Sequence, residues 1–391
     1  MEIKLGSPEE IKKENGYTYL SVSVDTEKTE NKLWFSVRDK FAGGLTRDRN
    51  DAFVMAVFFS ALKSGCDIVS SAPVSRSLLI SLNQTVIPLL VSKMNAFKHI
   101  RVIAEPIDDV KSADGTGMCW TGGVDSVYTL YRTENCNELR KATHLLVANH
   151  GGLEGEKRHE ILYSMEKQFS LGIANETGMQ VVAVDSNIQD IFPEDFLAAE
   201  CYRNSSVALL LQGLWDTFYI SSSYDTDSLC WMIENSGRYD YLLSRMFSTN
   251  STQIHTIGAD RKRIEKLKEL GGYQIAKKYL HPCIYVTRDR NCGHCSKCVR
   301  TLAALKVLDE IEKYRGLFDV DDFNVRWDEH LAYIMVNDTD PFLKEIMDTL
   351  KEQGINIPDA AMQKKKTMQA ICKVAGNNRE MILNKFNMYS K

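Results

Sequence analysis

The chain has 391 residues, and its 48 Lys and Arg against 52 Asp and Glu leave a formal net charge of −4. That balance excludes a broadly basic nucleic-acid coat, and 44% hydrophobic with 26% charged residues excludes a disordered chain. At roughly 150 residues per domain the length predicts two or three domains. The densest apolar stretch, residues 53–62, falls short of the roughly 20 residues of a membrane helix and stops at Lys63. The start, Met-Glu-Ile-Lys-Leu-Gly, has no apolar signal-peptide core, so a cytoplasmic protein with no membrane partner is expected.

In chain order, residues 17–24 and 32–37 alternate like strands. Residues 51–63 predict a helix, because their apolar side chains crowd one side of a 3.6-residue turn. Residues 66–70 and 100–104 are short strand candidates, and residues 75–94 are helical with a kink at Pro88. A polar, Gly-containing stretch over 106–117 predicts a domain junction. A second α/β unit follows. Its strands are 118–120, 143–149, 180–185 and 218–221; its helices are 125–132, 154–176 and 204–218. Strands alternating with helices predict a doubly wound, parallel sheet with ligands beyond the C-terminal strand ends. From about Arg261 the chain reads as helical, including a long helix over 297–314. The lysine triplet Lys364, Lys365 and Lys366 reads as a solvated helix face.

Two motifs carry chemistry. The first is Thr121-Gly122-Gly123-Val124-Asp125-Ser126, between a short strand and a helix. Two glycines let the backbone turn tightly and approach a ligand. The following helix start favours an anion, and Thr121 and Ser126 add hydroxyls. Asp125 is expected either to orient the loop or to hold Mg²⁺. The GK[ST] ending of a Walker loop is missing. The second motif is Cys283-x8-Cys292-x2-Cys295-x2-Cys298, four of the ten cysteines within 16 residues. In a reducing compartment such a group predicts a metal site, and four thiolates match a closed, structural Zn²⁺. An iron–sulfur cluster is the alternative occupant. His294, inside the loop, is expected to stand by. The other six cysteines (Cys66, Cys119, Cys136, Cys201, Cys230 and Cys372) are scattered.

The first motif resembles the SGGxDS loop of the PP-loop ATP pyrophosphatases, with Thr121 for Ser. Both motifs together resemble one branch of them, the 7-cyano-7-deazaguanine synthases (QueC). That family joins such a loop to a late Cys-x8-Cys-Gly-x-Cys-x2-Cys. Weaker matches are Arg158-His159-Glu160 for its Gly-Gln-Arg-His-x2-Glu stretch, Arg203-Asn204 for an Arg-Asn at a helix start, and Asp225 for an Asp at a strand end. The resemblance spans roughly residues 116–305 and implies a PP-loop (HUP-like) fold. It divides the chain into an N-terminal α/β accessory domain (1–112), a catalytic domain with a zinc-stapled loop (113–315) and a helical C-terminal region (316–391).

What the resemblance implies is an ATP-dependent ligase. Such an enzyme adenylates the carboxylate of 7-carboxy-7-deazaguanine, releases pyrophosphate and passes the acyl group to ammonia, giving amide and then nitrile. Thr121 to Ser126 would take ATP with Mg²⁺, Arg158 or Arg203 would grip a carboxylate or phosphate, and Asn204 would meet a purine-like edge. His159, Glu160 and Asp225 complete the substrate set. The family's Tyr-Pro-Asp-Cys-type segment is absent, since residues 223–230 read Ser-Tyr-Asp-Thr-Asp-Ser-Leu-Cys. The extra regions resemble extended QueC-like proteins of bacterial antiphage systems such as type IV CBASS and Qat, where the expected acceptor is a protein amine. A homodimer stays open, and nucleic acid is not expected as a partner. Two rivals remain. One is a tRNA-thiolating PP-loop enzyme, with Cys119 or Cys201 as nucleophile. The other is a non-catalytic nucleotide-binding subunit of a defence complex.

Overall fold

The computed structural model describes residues 1–13, 16–26, 30–111, 113–153, 155–285 and 290–375. The chain folds as two compact units. The first takes Met1–Trp120 and Arg132–Ala259; the second takes Thr121–Tyr131 and the described residues from Asp260 onward. Among the described residues, no helix is long and apolar enough to cross a membrane.

The first unit is built on β1 (Glu2–Leu5), β2 (Glu9–Lys13), β3 (Tyr17–Thr26), β4 (Glu30–Arg38), β5 (Asp67–Ser70), β6 (Val74–Ser75), β7 (Val102–Ile103), β8 (Pro106–Ile107), β9 (Gly115–Cys119), β10 (His144–Ala148), β11 (Gln180–Ser186), β12 (Trp215–Ser221) and β13 (Gln253–Ile257). β6 and β8 pair only with each other. The rest form one sheet in the order β13-β12-β9-β10-β11-β4-β3-β1-β5-β7, with β2 on β3. From β13 to β11 every pairing is parallel. Counted from β9, these five strands lie in the order 3-2-1-4-5 reading from β11, or 5-4-1-2-3 reading from β13. In such a sheet the order reverses beside the first strand, and ligands sit beyond the C-terminal ends there.

β11 does not end the sheet. It pairs antiparallel with β4, Asp185 opposite Ser36 and Ser186 opposite Phe35. β3 and β4 alternate as their sequence predicts: Leu20, Val22, Val24, Leu33, Phe35 and Val37 are fully buried. The opposite face carries Tyr17, Tyr19 and Trp34, which stay partly exposed. The short strands β1, β2 and β13 were not predicted from the sequence.

The helix Asp51–Ser64 was expected to bury one side. Instead residues 51–59, 61 and 62 are all buried. One reason is its neighbour Phe196–Leu210: Ser206 Oγ donates to the Ala52 carbonyl at 2.8 Å, and Phe58 and Phe59 meet Tyr202 at 5.9 and 5.6 Å between ring centres. The expected helix over 204–218 is corrected by the same element. It begins at Phe196, where the Asp195 carboxylate accepts the Ala198 N–H, and it stops at Leu210. β12 then starts at Trp215, so Trp215 to Thr217 belong to a strand. Arg203 and Asn204 therefore lie within a helix and not at its start. A further break was missed, and an expected one is present near Pro88. The helix predicted over 154–176 spans Arg158–Phe169, after which the helical path distorts through Gly172; Glu154 lies outside the described residues. Pro88 enters just after the wide turn Leu82–Val86, at the beginning of Ile87–Lys93.

The second unit is helical. Its main helices are Arg263–Glu269, Gln274–Tyr279, Ser296–Val307, Trp327–Val336, Pro341–Glu352 and Asp359–Ala375. The long helix expected over 297–314 stops at Val307, because Asp309 takes φ +57, a left-handed conformation that ends a helix. The lysine triplet lies on Asp359–Ala375, where Lys364 pairs with Glu329 at 2.8 Å. The expected helical tail beyond Ala375 lies outside the described residues.

Candidate functional site: a glycine loop, a strand-end cleft and a cysteine centre

The glycine loop belongs to the second unit. It leaves β9 at Thr121 and enters the helix Val124–Asn135. Gly122 takes φ +73, and its carbonyl accepts the His281 N–H at 2.7 Å. A side chain there would force an L-residue into the left-handed region. Ser126 Oγ donates to the Gly123 carbonyl at 3.0 Å, and Val127 N–H makes the helix's first bond, to Gly123. The amides before it belong to the turn whose N–H groups point out of a helix start. We expect Gly122→Ala to cost about 1–2 kcal/mol by the left-handed penalty alone, read as a lower urea midpoint.

The carboxylate of the loop is not turned toward an empty space. Asp125 Oδ2 accepts from Arg263 at 2.5 Å and Oδ1 from the wholly buried Lys266 at 3.1 Å. Burial alone would raise this carboxyl. The positive charges of Arg263, Lys266 and Arg300 outweigh that and hold it below the usual carboxylate range. With both oxygens on cations, Asp125 fits the loop-orienting role better than that of a ready Mg²⁺ ligand. Neither Arg263 nor Lys266 was singled out in the sequence, since they lie about 140 residues from the loop. A cationic pair at the first turn of a helix, where cations are disfavoured, was the available signal.

The other expected substrate residues lie in the first unit. There a cleft of about 610 Å³ opens past the ends of β10 and β11, lined among others by Gly151, Gly152, Arg158, Gln189, Glu194 and Phe196. That volume suits a small molecule. Arg158 borders it, paired with Asp190 at 2.5 Å. Arg203 packs against Gly151, is 2% exposed and donates to the His150 and Phe192 carbonyls and to Gln189. Burial pushes its guanidinium down to about 10. Arg203 thus braces the cleft wall. Asn204 Oδ1 lies 2.8 Å from His150 Nε2, and burial pushes that imidazole down to about 4. Glu160 is exposed on the first turn of Arg158–Phe169. Asp225, buried past β12, is bonded to Ser228.

His159 has a partner that the sequence did not suggest. Its Nδ1 stands 2.7 Å from Asp185, whose carboxylate also accepts from Asn149 at 2.7 Å, Tyr163 at 3.2 Å and the Ser186 N–H. Trp34 of β4 stacks beside the His159 ring at 6.3 Å. The His–Asp pair fixes which ring nitrogen faces the protein and leaves Nε2 directed elsewhere. Its position near the C-terminal end of β11 was the clue to Asp185.

The four cysteines converge in the second unit. All four sulfurs lie within 4.8 Å of one another, and Cys292 and Cys298 are 3.9 Å apart. Tetrahedral ligands at about 2.3 Å from a zinc ion stand about 3.8 Å apart, so the donor set fits a metal such as zinc. Backbone N–H groups of Cys292, His294, Cys295 and Cys298 point at cluster sulfurs at 3.3–3.4 Å, as suits sulfurs carrying negative charge. Gly293 at φ +75 makes the turn. His294 stays outside the group, its Nδ1 2.7 Å from Arg326.

Desolvation pushes the thiols of Cys119 and Cys201 above their ordinary range, with Glu200 near the half-buried Cys119 and Asp240 near the buried Cys201, which disfavours the reactive thiolate. Comparison with family models, with curated proteins and with solved structures finds no match for this chain.

Proposed function

We propose that the protein is a PP-loop, QueC-like, ATP-dependent ligase. It adenylates the carboxylate of a 7-deazaguanine and passes the acyl group to an amine, either ammonia or a protein amine in an antiphage system. The observation that carries this reading is the glycine loop. It has a left-handed Gly122, follows the first strand of the five-stranded parallel region, and has its one carboxylate covered by Arg263 and Lys266. The four-cysteine centre at the family's spacing is the second support.

The chemistry asked of these residues is charge stabilisation. A carboxylate oxygen attacks the α-phosphorus of ATP, the bond between the α-phosphorus and its bridging oxygen breaks, and pyrophosphate leaves with the negative charge. Backbone amides at a helix start and fixed cations lower the energy of that charge. The amine then forms a C–N bond, AMP leaves from the acyl carbon and the amine loses a proton. Mg²⁺ on the phosphates would supply further neutralisation when bound. The cysteine centre, closed on four sides, takes no part in bond making and secures the loop ahead of Ser296–Val307. The raised thiols of Cys119 and Cys201 count against the thiolating rival.

The test is pyrophosphate release. The zinc-bearing protein with Mg²⁺, ATP and 7-carboxy-7-deazaguanine should release pyrophosphate, and leaving out the acid should abolish most of it. Adding candidate protein acceptors and weighing them by mass spectrometry reads the acceptor. No release with the acid present rejects the ligase reading, and ATP binding without release would favour the non-catalytic subunit.

A further inference from the structure

The carboxylate of the glycine loop is governed by residues far from it in sequence. Arg263 comes from the helix Arg263–Glu269, and Arg300 from the helix Ser296–Val307. Both guanidiniums share one neighbour, Phe342. The central carbon of Arg263 stands 4.4 Å from the centre of the Phe342 ring and that of Arg300 4.5 Å. The ring is 7% exposed. A guanidinium within about 6 Å of an aromatic face is attracted to it, more strongly where water is excluded. Two guanidiniums on one ring repel each other. An aromatic face that attracts both offsets part of that repulsion, which a saturated side chain of equal size does not.

Phe342 is itself held firmly. Pro341 opens the helix Pro341–Glu352, and the Asp340 carboxylate accepts the N–H groups of Phe342 and Leu343 at 2.8 and 3.3 Å. One turn on, Glu345 accepts the Ile264 N–H at 3.0 Å, which fastens this helix to the residue after Arg263. Arg300 is fixed from its other side, two residues after the cluster cysteine Cys298 and on the helix whose start Cys295 caps.

We propose that Phe342 is a positioning residue of the nucleotide loop: its ring, shared with Arg300, holds Arg263 against Asp125, which makes the helix Pro341–Glu352 part of the loop's machinery. This rests on the nucleotide reading for its consequence, but the positioning stands on contacts within the second unit alone. It gives a task to a stretch of chain outside the family resemblance.

The experiment compares full-length, zinc-bearing wild type, Phe342→Leu and Phe342→Tyr. Leu keeps the apolar bulk and loses the aromatic face; Tyr keeps the face. Hydrogen exchange is followed by mass spectrometry in peptides covering 121–131, with those covering 327–336 as an internal reference, and ATP affinity by calorimetry. In Phe342→Leu, exchange over 121–131 should speed about 3–10-fold with the reference unchanged, and the ATP Kd should rise about 3–10-fold. Phe342→Tyr should restore both. Unchanged exchange over 121–131 in Phe342→Leu overturns the proposal, as does equal acceleration in the reference or a Tyr variant as impaired as Leu. Altered exchange with an unchanged ATP Kd overturns the link to the nucleotide. If wild type binds no ATP, exchange still decides the role of Phe342, and the nucleotide reading alone falls. Should Phe342→Leu not fold, Arg300→Gln against Arg300→Lys reads the same contact from its cationic side.

Discussion

Asp125→Ala should destabilise the protein by about 3–5 kcal/mol, because removing one partner of a buried ion pair leaves the other charge stranded. Lys266 has no solvent exposure and Arg263 is 7% exposed, so water replaces the lost carboxylate poorly. Asp125→Asn should fall between Ala and wild type, since the amide oxygen still accepts one hydrogen bond. Urea unfolding followed by circular dichroism measures both. The dependence on pH has a definite sign. The folded-state carboxyl lies below its ordinary value. Its stabilisation is therefore complete above the unfolded-state value near about 4 and disappears as pH falls through the lower folded value. The gap between wild type and Asp125→Asn should be constant from about pH 7 to about 5 and close below about 4. A gap that instead widens on acidification contradicts the ion-pair account. The same substitution should abolish pyrophosphate release, and the urea curves separate loss of fold from loss of chemistry.

Removing the metal should have a comparable or larger effect. One zinc per chain is expected by elemental analysis, and a colourless protein separates zinc from an iron–sulfur cluster. Cys298 is fully buried, and its N–H caps the helix Ser296–Val307 onto Cys295 at 3.4 Å. Without an ion, four sulfurs within 4.8 Å either protonate and crowd or repel one another. Structural zinc in small peptides is worth roughly 10–16 kcal/mol of binding, most of which is folding free energy. Cys298→Ser, or a strong chelator, should lower the melting temperature by about 10 °C or more and speed proteolysis between Cys283 and Ser296. A protein that melts at the same temperature with and without chelator refutes the structural role.

The sequence was most legible where chemistry fixes spacing. Cys283, Cys292, Cys295 and Cys298 were identified from their intervals, and they converge because short steps leave few other arrangements. The glycine loop was legible because Gly-Gly between an apolar strand and a helix has a narrow set of backbone solutions. The central strands β10 and β11 were also recognised within a residue or two, being continuous apolar runs. Legibility failed where the partner is remote. Nothing near Asp125 announces Arg263 and Lys266, and nothing near His159 announces Asp185. Nor does periodicity reveal that residues 51–59 of the Asp51–Ser64 helix are covered all round. Its apolar excess resembles a single face because the helix that covers it, Phe196–Leu210, lies far along the chain. β1, β2 and β13 escaped for a different reason. They are four or five residues long, and pairing with a neighbour, not their own composition, makes them strands.

The antiparallel join between β4 and β11 also bears on how the protein reaches its folded state. Ser36 and Asp185 lie 149 residues apart (185 − 36), so the contact that merges the two groups of strands closes a very long loop. Such contacts cost chain entropy before they return any stability, and they slow folding. During synthesis at about 5–20 residues per second, β4 would wait roughly 7–30 s for its partner to be made. For that interval the β3–β4 hairpin presents an unsatisfied strand edge beside Leu33, Phe35 and Val37, all apolar and all destined for burial. An unpaired edge with apolar neighbours is a surface on which chains associate with one another. The most exposed moment in the life of this protein therefore comes at the ribosome, and its yield should depend on how fast the chain is made and on what shields that hairpin meanwhile.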